Sequence, residues 1–367
     1  MKTAVEKPAK SGNPLTGARR GFGRAMDRVR DRWADAPWWQ RWTVYVLLIG
    51  LALILPSDFF ASFMSPHTHW PSLLFNPIGV YILLAVGLNI VVGHAGLLDL
   101  GFVAFYAIGA YNMALIGTKF GWNFWAILPI GILMTAVSGI ILGAPTLRLR
   151  GDYLAIVTLG FGEIVRIIAE NTDAIGASRG ITNIPHPPNM FGLEFLLDPL
   201  PYYYLLVGVV VAVIIFARRL ERSRVGRAWT AIREDEDAAE IMGVPTFKFK
   251  LLAFFIGAMI GGLTGVVWAS KVIAIQPANF PFILSATILA AVVLGGSGNL
   301  PGVMVGAFLI AWLPERFRGL ADYRILAFGA ALVIMMALRP EGLLPSRQRK
   351  AELSEGSGTE ASAEVGK

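Results

Sequence analysis

Apolar residues in this chain come in long blocks separated by polar stretches. A helix needs about 20 mostly apolar residues to cross the hydrocarbon layer of a bilayer. Ten blocks predict spanning helices, at 41–56, 77–93, 97–117, 124–146, 153–170, 202–217, 251–270, 282–296, 302–314 and 323–338. Glycine turns beside the second, eighth and ninth blocks also permit re-entrant helices, which would lower the number of full spans to as few as 8.

Composition supports this pattern. Hydrophobic residues make up 55% of the 367 positions and charged residues 16%, against about 25% charged in a typical soluble domain. Too little polar surface remains to coat a water-soluble globule, so the expected fold class is an all-α polytopic membrane protein. The chain divides into a basic tail over 1–40, a transmembrane domain over 41–338 with its largest polar loop at 218–250, and a tail over 339–367. Residues 350–367 are rich in Glu, Ser, Gly and Ala and predict a disordered end. The first apolar block follows some forty polar residues without an A-x-A cleavage pattern, so it reads as a retained helix.

Charge gives the expected orientation. With the amino terminus in the cytoplasm, segments 1–42, 147–152, 218–250 and 339–367 lie inside and hold 25 of the 32 Lys and Arg residues. The opposite loops at 57–76, 118–123, 171–201, 271–281 and 315–322 hold 0, 1, 1, 1 and 2. That positive-inside bias places both termini in the cytoplasm. It also explains the net charge of +7 by anionic membrane lipid, with no nucleic-acid partner. Trp38, Trp39, Trp42, Trp122, Trp125 and Tyr202 to Tyr204 fall at block ends, where amphipathic rings favour the interface. Five prolines between Pro185 and Pro201 fit an irregular external cap or a plain linker.

Several chemistries are missing from the sequence. No cysteine is present, so disulfides and thiolate sites are excluded. No G-x-x-x-x-G-K-[ST] phosphate loop occurs, nor H-E-x-x-H, G-x-S-x-G or a dinucleotide fingerprint. Of the histidines 67, 69, 94 and 186, the first two alone have ligand-like spacing, and they sit in a polar loop where such a pair is usually incidental. No catalytic residue, metal site or cofactor is expected in this chain.

The loop at 218–250 predicts two short helices, with Asp235 capping the second and Gly243 and Pro245 stopping it. Its segment Asp237-Ala238-Ala239, three residues, then Gly243 is similar to the E-A-A-x-x-x-G coupling loop of ATP-binding-cassette importer permeases, with Asp in place of Glu. The competing account is an ordinary solvated, charged loop.

More of the chain resembles the permease subunits of branched-chain amino acid ATP-binding-cassette transporters, of the LivM type. The likeness runs through Leu88-Asn-Ile-Val-Val-Gly-His-Ala-Gly-Leu-Leu-Asp-Leu-Gly to Tyr111, Pro145-Thr-Leu-Arg-Leu-Arg-Gly-Asp-Tyr to Glu163, Val293-Leu-Gly-Gly-Ser-Gly-Asn-Leu-Pro-Gly302 and Arg339-Pro-Glu-Gly-Leu343. His94 stands where a bulkier aromatic is common, and the glycine-rich run before Gly180 is shortened to Ala177-Ser-Arg. The resemblance implies an importer permease fold in a bacterial inner membrane. It also implies a second, homologous permease, two P-loop ATPases holding ATP and Mg, and a periplasmic binding protein that selects the substrate. Branched-chain amino acids are the expected cargo, with urea, amides or aromatic acids as alternatives and an ion-coupled secondary transporter as a rival class. Gly226, Arg227, Ala228, Arg233, Asp237, Ala238, Ala239 and Gly243 are then the expected coupling residues.

Two Gly-x-x-Gly turns, Gly93-His94-Ala95-Gly96 and Gly295-Gly296-Ser297-Gly298, each join two apolar blocks. The shared pattern fits either an internal repeat or a coincidence of composition. Polar groups at membrane depth are costly and mark candidate sites, which selects Asn89, Gly93, His94, Gly96, Asp99, Glu163 and Arg166 as candidates to border a pathway. Glu163, Arg166 and Glu170 share a helix face and fit a structural ion triad as well, and Asp99 fits a helix cap. A pore that receives its cargo from a binding protein needs few contacts, so substrate affinity in this subunit is expected to be weak.

Overall fold

The computed structural model describes residues 69–147, 149, 151–189, 195, 199–316 and 342–344, together with 43, 47, 50–57, 326, 329, 330 and 333. The chain forms two units, Met1–Ser57 and Asp58–Lys367. In the first, residues 50–54 are helical, and Leu47, Leu51, Leu53 and Ile54 lie exposed, as lipid-facing side chains of the first expected span would.

The described part of the second unit is built from helices α1 Trp70–His94, α2 Val103–Phe120, α3 Phe124–Thr146, α4 Asp152–Asn171, α5 Pro199–Glu221, α6 Arg224–Glu234, α7 Glu236–Ile241, α8 Thr246–Val272, α9 Phe282–Gly295 and α10 Leu300–Arg316. The second to ninth expected spans are therefore helices. The first is described at 43, 47 and 50–56 and the tenth at 326, 329, 330 and 333, and both expected tails lie outside the described residues apart from 342–344. Among the described residues, five helices are long and apolar enough to cross a membrane: α1, α3, α5, α8 and the stretch Pro277–Gly295 that contains α9. Helices α2 and α10 have 18 and 17 residues, and α4 carries Glu163, Arg166 and Glu170.

Two boundaries differ from the expected ones. Helix α1 begins well before residue 77: the chain is already helical from Trp70, and Asn76, extended at φ −138° ahead of Pro77, only interrupts it. Helix α2 begins only at Val103. Residues 95–101 fold back along α4, where the Leu100 amide donates to Thr158 Oγ1 at 3.0 Å and a Cβ on Gly101 would lie 1.9 Å from the Thr158 carbonyl. Thr158 sits about two turns inside α4, so the start of α2 packs against the body of α4 and not against its end.

Helix α8 is the centre of the unit. Helices α1, α2 and α3 all pack on it. In lipid no hydrophobic force separates helix from solvent, so association rests on close packing, and small residues let backbones approach. Gly257, Gly261 and Gly265 form a G-x-x-x-G-x-x-x-G stripe on α8. Val91 and Phe102 fill the space over Gly257, Phe105 that over Gly261, and the α2 backbone at Tyr106 that over Gly265.

At one end of the bundle an irregular cap closes over α8. Ile181 and Ile275 exchange backbone hydrogen bonds at 2.8 and 2.9 Å, the Ile184 amide donates to the Ile273 carbonyl, and Lys119 Nζ donates to the Ala174 carbonyl. Of the two readings that the prolines left open, a cap or a plain linker, the described residues form the cap. His186 Nδ1 lies 2.7 Å from the Tyr202 hydroxyl and 3.1 Å from the Ser270 carbonyl, and the hydroxyl itself donates to that carbonyl. Burial pushes the His186 pKa below its ordinary 6.5 and the nearby Lys271 adds to this, against the opposing bond to Ser270. The packed cap thus holds neutral imidazole. Its stability is fully present above pH 6.5 and is lost as the pH falls below that value toward the depressed pKa. Hydrogen exchange over 181–189, corrected for intrinsic rates, is expected to show faster opening at about pH 5.5 than at about pH 7.5, and His186→Gln is expected to remove the difference.

Candidate coupling site and interhelical cleft

The loop between α5 and α8 is the pair of short helices expected from its sequence. Ser223 caps α6 by accepting from the Val225 amide, and Asp235 caps α7 by accepting from the Ala238 amide at 3.0 Å. Gly243 stops α7 at φ +87°, a conformation that costs side-chain-bearing residues, while the space around it is open. Its glycine is required by the backbone and not by crowding. Ala239 is buried, Asp237 and Ala238 are exposed, and Gly226 lies tight against the end of α5, where a Cβ would meet the Glu221 carbonyl at 2.1 Å. Ala228 is half-buried, and Arg227 reaches back to the Arg222 carbonyl at the surface.

Two contacts weld this hairpin to the first turns of α8. Trp229, 1% exposed, donates its indole N–H to the Phe249 carbonyl at 2.7 Å, and the buried Lys250 pairs with Glu236. A buried charge is tolerated where it is paired. The hairpin and the first turns of α8 thus form one packed piece.

A third contact joins the hairpin to the first glycine turn. Arg233 donates through Nη1 to the Gly93 carbonyl, and its side-chain stem lies over Gly96, whose φ is +72°. One turn earlier on α1, the buried Asn89 accepts through Oδ1 from the Gly298 amide at 2.8 Å. The two glycine turns, far apart in sequence, thus meet: a Cβ on Gly93 would fall 2.0 Å from Asn89 Oδ1 and 2.5 Å from the Gly298 amide. Gly295 and Gly296 complete the second turn, and residues 342–344 seal it, with the Leu343 amide bonded to the Leu294 carbonyl and Leu344 to Gly295. One path of contacts runs from Arg233 through Gly93 and Asn89 to Gly298.

The remaining expected residues lie elsewhere or are bonded locally. Asp99 is fully buried and accepts from the Gly101 amide two residues on, which is the local capping geometry. Its second oxygen, with Asn89 Nδ2 and His94 Nε2, has no protein hydrogen-bond partner. Glu163 and Arg166 are not part of this path of contacts. They line a separate, partly open cleft between the start of α2, the middle of α4 and the start of α9, where Ser285 also lies. Arg166 bonds Glu163 through Nε at 2.6 Å and Glu170 through Nη1 at 2.9 Å, so the triad forms as its spacing predicts.

Sequence reasoning missed three features: the glycine stripe of α8, the approach of Ser285 to α2, and the tip of α7. The stripe had a readable signal in its small-x-x-x-small spacing. Ser285 accepts from the Val103 amide at 3.1 Å, a contact across 182 positions that no local pattern announces. Ile241 and Met242 at the tip are 85% and 84% exposed, apolar groups at the end of an otherwise charged hairpin.

Comparison with known proteins agrees with this architecture. Residues 72–338 match the family described as branched-chain amino acid transport system / permease component. The chain belongs to this permease family. Over 300 residues the permease is 43% identical to the high-affinity branched-chain amino acid transport system permease protein LivM of Escherichia coli strain K12, covering 76% of this chain and 70% of that relative. It is 23% identical over 325 residues to the probable branched-chain amino acid transport permease protein LivM of Methanocaldococcus jannaschii, covering 73% and 91%. It is also 25% identical over 287 residues to the E. coli permease protein LivH, covering 72% and 91%. No solved structure matches the permease. Its apolar helices and its family make it a multi-pass inner-membrane transport subunit.

Proposed function

We propose that this permease is one of two unlike pore-forming subunits of an importer for branched-chain amino acids, driven by two separate P-loop ATPases and fed by a periplasmic binding protein. ATP and Mg belong to the ATPases in this reading, and both termini of the permease face the cytoplasm with the 218–250 loop. The observation that carries it is the α6–α7 hairpin, tied to α8 by Trp229 and Lys250, resting on the first glycine turn through Arg233 and ending in an exposed apolar tip. A polar rim around an apolar centre suits docking onto a soluble partner. Closure of the ATPases would push the hairpin, and the welded contacts would pass the push to α8 and to both glycine turns as a shift of packed helices. Membership of a family whose named relatives are branched-chain amino acid permeases supports the substrate class.

The tip provides the test. Burying an Ile or Met side chain contributes about 1.5–3 kcal/mol, and a carboxylate placed there opposes burial. Ile241→Asp and Met242→Asp are each expected to weaken co-purification with the ATPases by roughly tenfold or more, with membrane insertion unchanged. Undiminished co-purification would refute the coupling assignment. Uptake that survives removal of the ATPases and collapses with the proton gradient would instead favour an ion-coupled transporter. Uptake of labelled urea, amides or aromatic acids in place of leucine would reassign the substrate.

A further inference from the structure

We propose that the cleft at the starts of α2 and α9 is a transient site for a zwitterionic amino acid with an aliphatic side chain, the carboxylate held by Arg166 and the ammonium by Glu163. This deepens the importer reading and rests on it.

The walls of the cleft divide by chemistry. Leu100, Ala104, Ala107, Leu159 and Phe282 give an apolar side for an aliphatic chain, while Glu163, Arg166 and Ser285 give a polar one.

The triad is held in place but not used up. A guanidinium has five N–H donors. Arg166 commits one on Nε to Glu163 and one on Nη1 to Glu170, leaving others for a carboxylate. Glu163 accepts through Oε2, so Oε1 remains for an ammonium. Ser285 accepts from the Val103 amide and keeps its own hydrogen for a ligand. The starts of α2 and α9 converge there as well, and their positive dipole ends favour the carboxylate.

Exposure separates this account from a purely structural triad. Ion pairs that join helices within a membrane are sealed between them, because polar surface facing lipid is costly. Here the side chains of Arg166, Glu163 and Glu170 keep 29%, 37% and 44% of their surface. Glu163 and Arg166 line the cleft, while Glu170 lies beyond it in the last turn of α4. Because both charges already have partners, the net gain on binding is small. Weak binding suits a site that must release its cargo.

The experiment uses the assembled importer in lipid vesicles with a leucine analogue carrying a side-chain diazirine, followed by mass spectrometry of the crosslinked peptides. Labelling is expected on segments 100–107, 159–166 and 280–285, and excess leucine should compete it. It is expected to fall about tenfold in Arg166→Ala, the lower end of what loss of a charged hydrogen bond produces, and similarly in Ala107→Leu, which fills the cleft without touching the triad. Leucine uptake by the wild type with crosslinks only elsewhere would overturn the site and leave the importer standing. Labelling retained in both variants while uptake is lost would show a structural triad and overturn the site as well. A wild-type complex that takes up no leucine would overturn both readings.

Discussion

Arg233→Ala is expected to separate ATP hydrolysis from transport: the ATPases still bind and turn over, while leucine uptake falls by about tenfold or more. The reason lies in what Arg233 connects. The hairpin touches α8 through Trp229 and Lys250, but it reaches the first glycine turn through the Arg233 guanidinium on the Gly93 carbonyl. A hydrogen bond to a charged group contributes about 1.5–3 kcal/mol, which corresponds to a roughly 10- to 150-fold shift between docked and undocked arrangements. Arg233→Lys keeps the charge without the planar fork and should give an intermediate loss. Gly96→Val supplies an independent probe, since even its Cβ would meet the Arg233 stem at 2.9 Å and its φ of +72° is strained for valine. The measurement is the ratio of leucine transported to ATP hydrolysed in vesicles. A ratio unchanged in Arg233→Ala would remove this residue from the coupling path.

Gly265→Leu is expected to prevent accumulation of the folded subunit altogether. A Cβ at Gly265 would lie 2.2 Å from the Tyr106 carbonyl and 2.7 Å from the Ala110 amide. Both obstacles are backbone, so no rotamer change relieves the clash and α2 must move as a body. Overpacking of a well-packed core costs about 1–3 kcal/mol for small insertions, and Gly265→Ala should lower the midpoint of thermal unfolding in detergent by several degrees. Gly109→Leu should behave like Gly265→Leu, because its Cβ would meet the Gly262 carbonyl at 2.2 Å from the other side of the same seam. Gly208→Ala on α5 is the control. Nothing lies within 4 Å of its Cβ position, so the change should be neutral or slightly stabilising. Equal stability of Gly265→Ala and Gly208→Ala would contradict the α2–α8 packing.

Much of this was legible along the chain. The apolar block at 124–146 coincides with α3, and Asp235 and Gly243 bound α7 as their chemistry predicts. These features follow from rules acting over a few residues: span length, caps, stop signals and i, i+3 spacing, which also announced the Glu163, Arg166 and Glu170 triad. The boundaries that moved did so for tertiary reasons. Apolar residues 97 and 98 continue the hydropathy of α2, yet Asp99, Gly101 and Thr158 draw that stretch into an irregular segment alongside α4.

By itself, then, the sequence determined the membrane class, the blocks that become helices and the double-helix hairpin, because each depends on side-chain chemistry and period within one segment. Only the tertiary structure decided that Arg233, Gly93, Asn89 and Gly298 form one path, and that Glu163 and Arg166 face a cleft completed by Ser285. Asn89 and Gly298 are 209 positions apart, and Val103 and Ser285 are 182 apart. Contacts at such separations arise from which helices α8 gathers around its glycine stripe, and that choice rests on backbone close approach, which local composition does not encode.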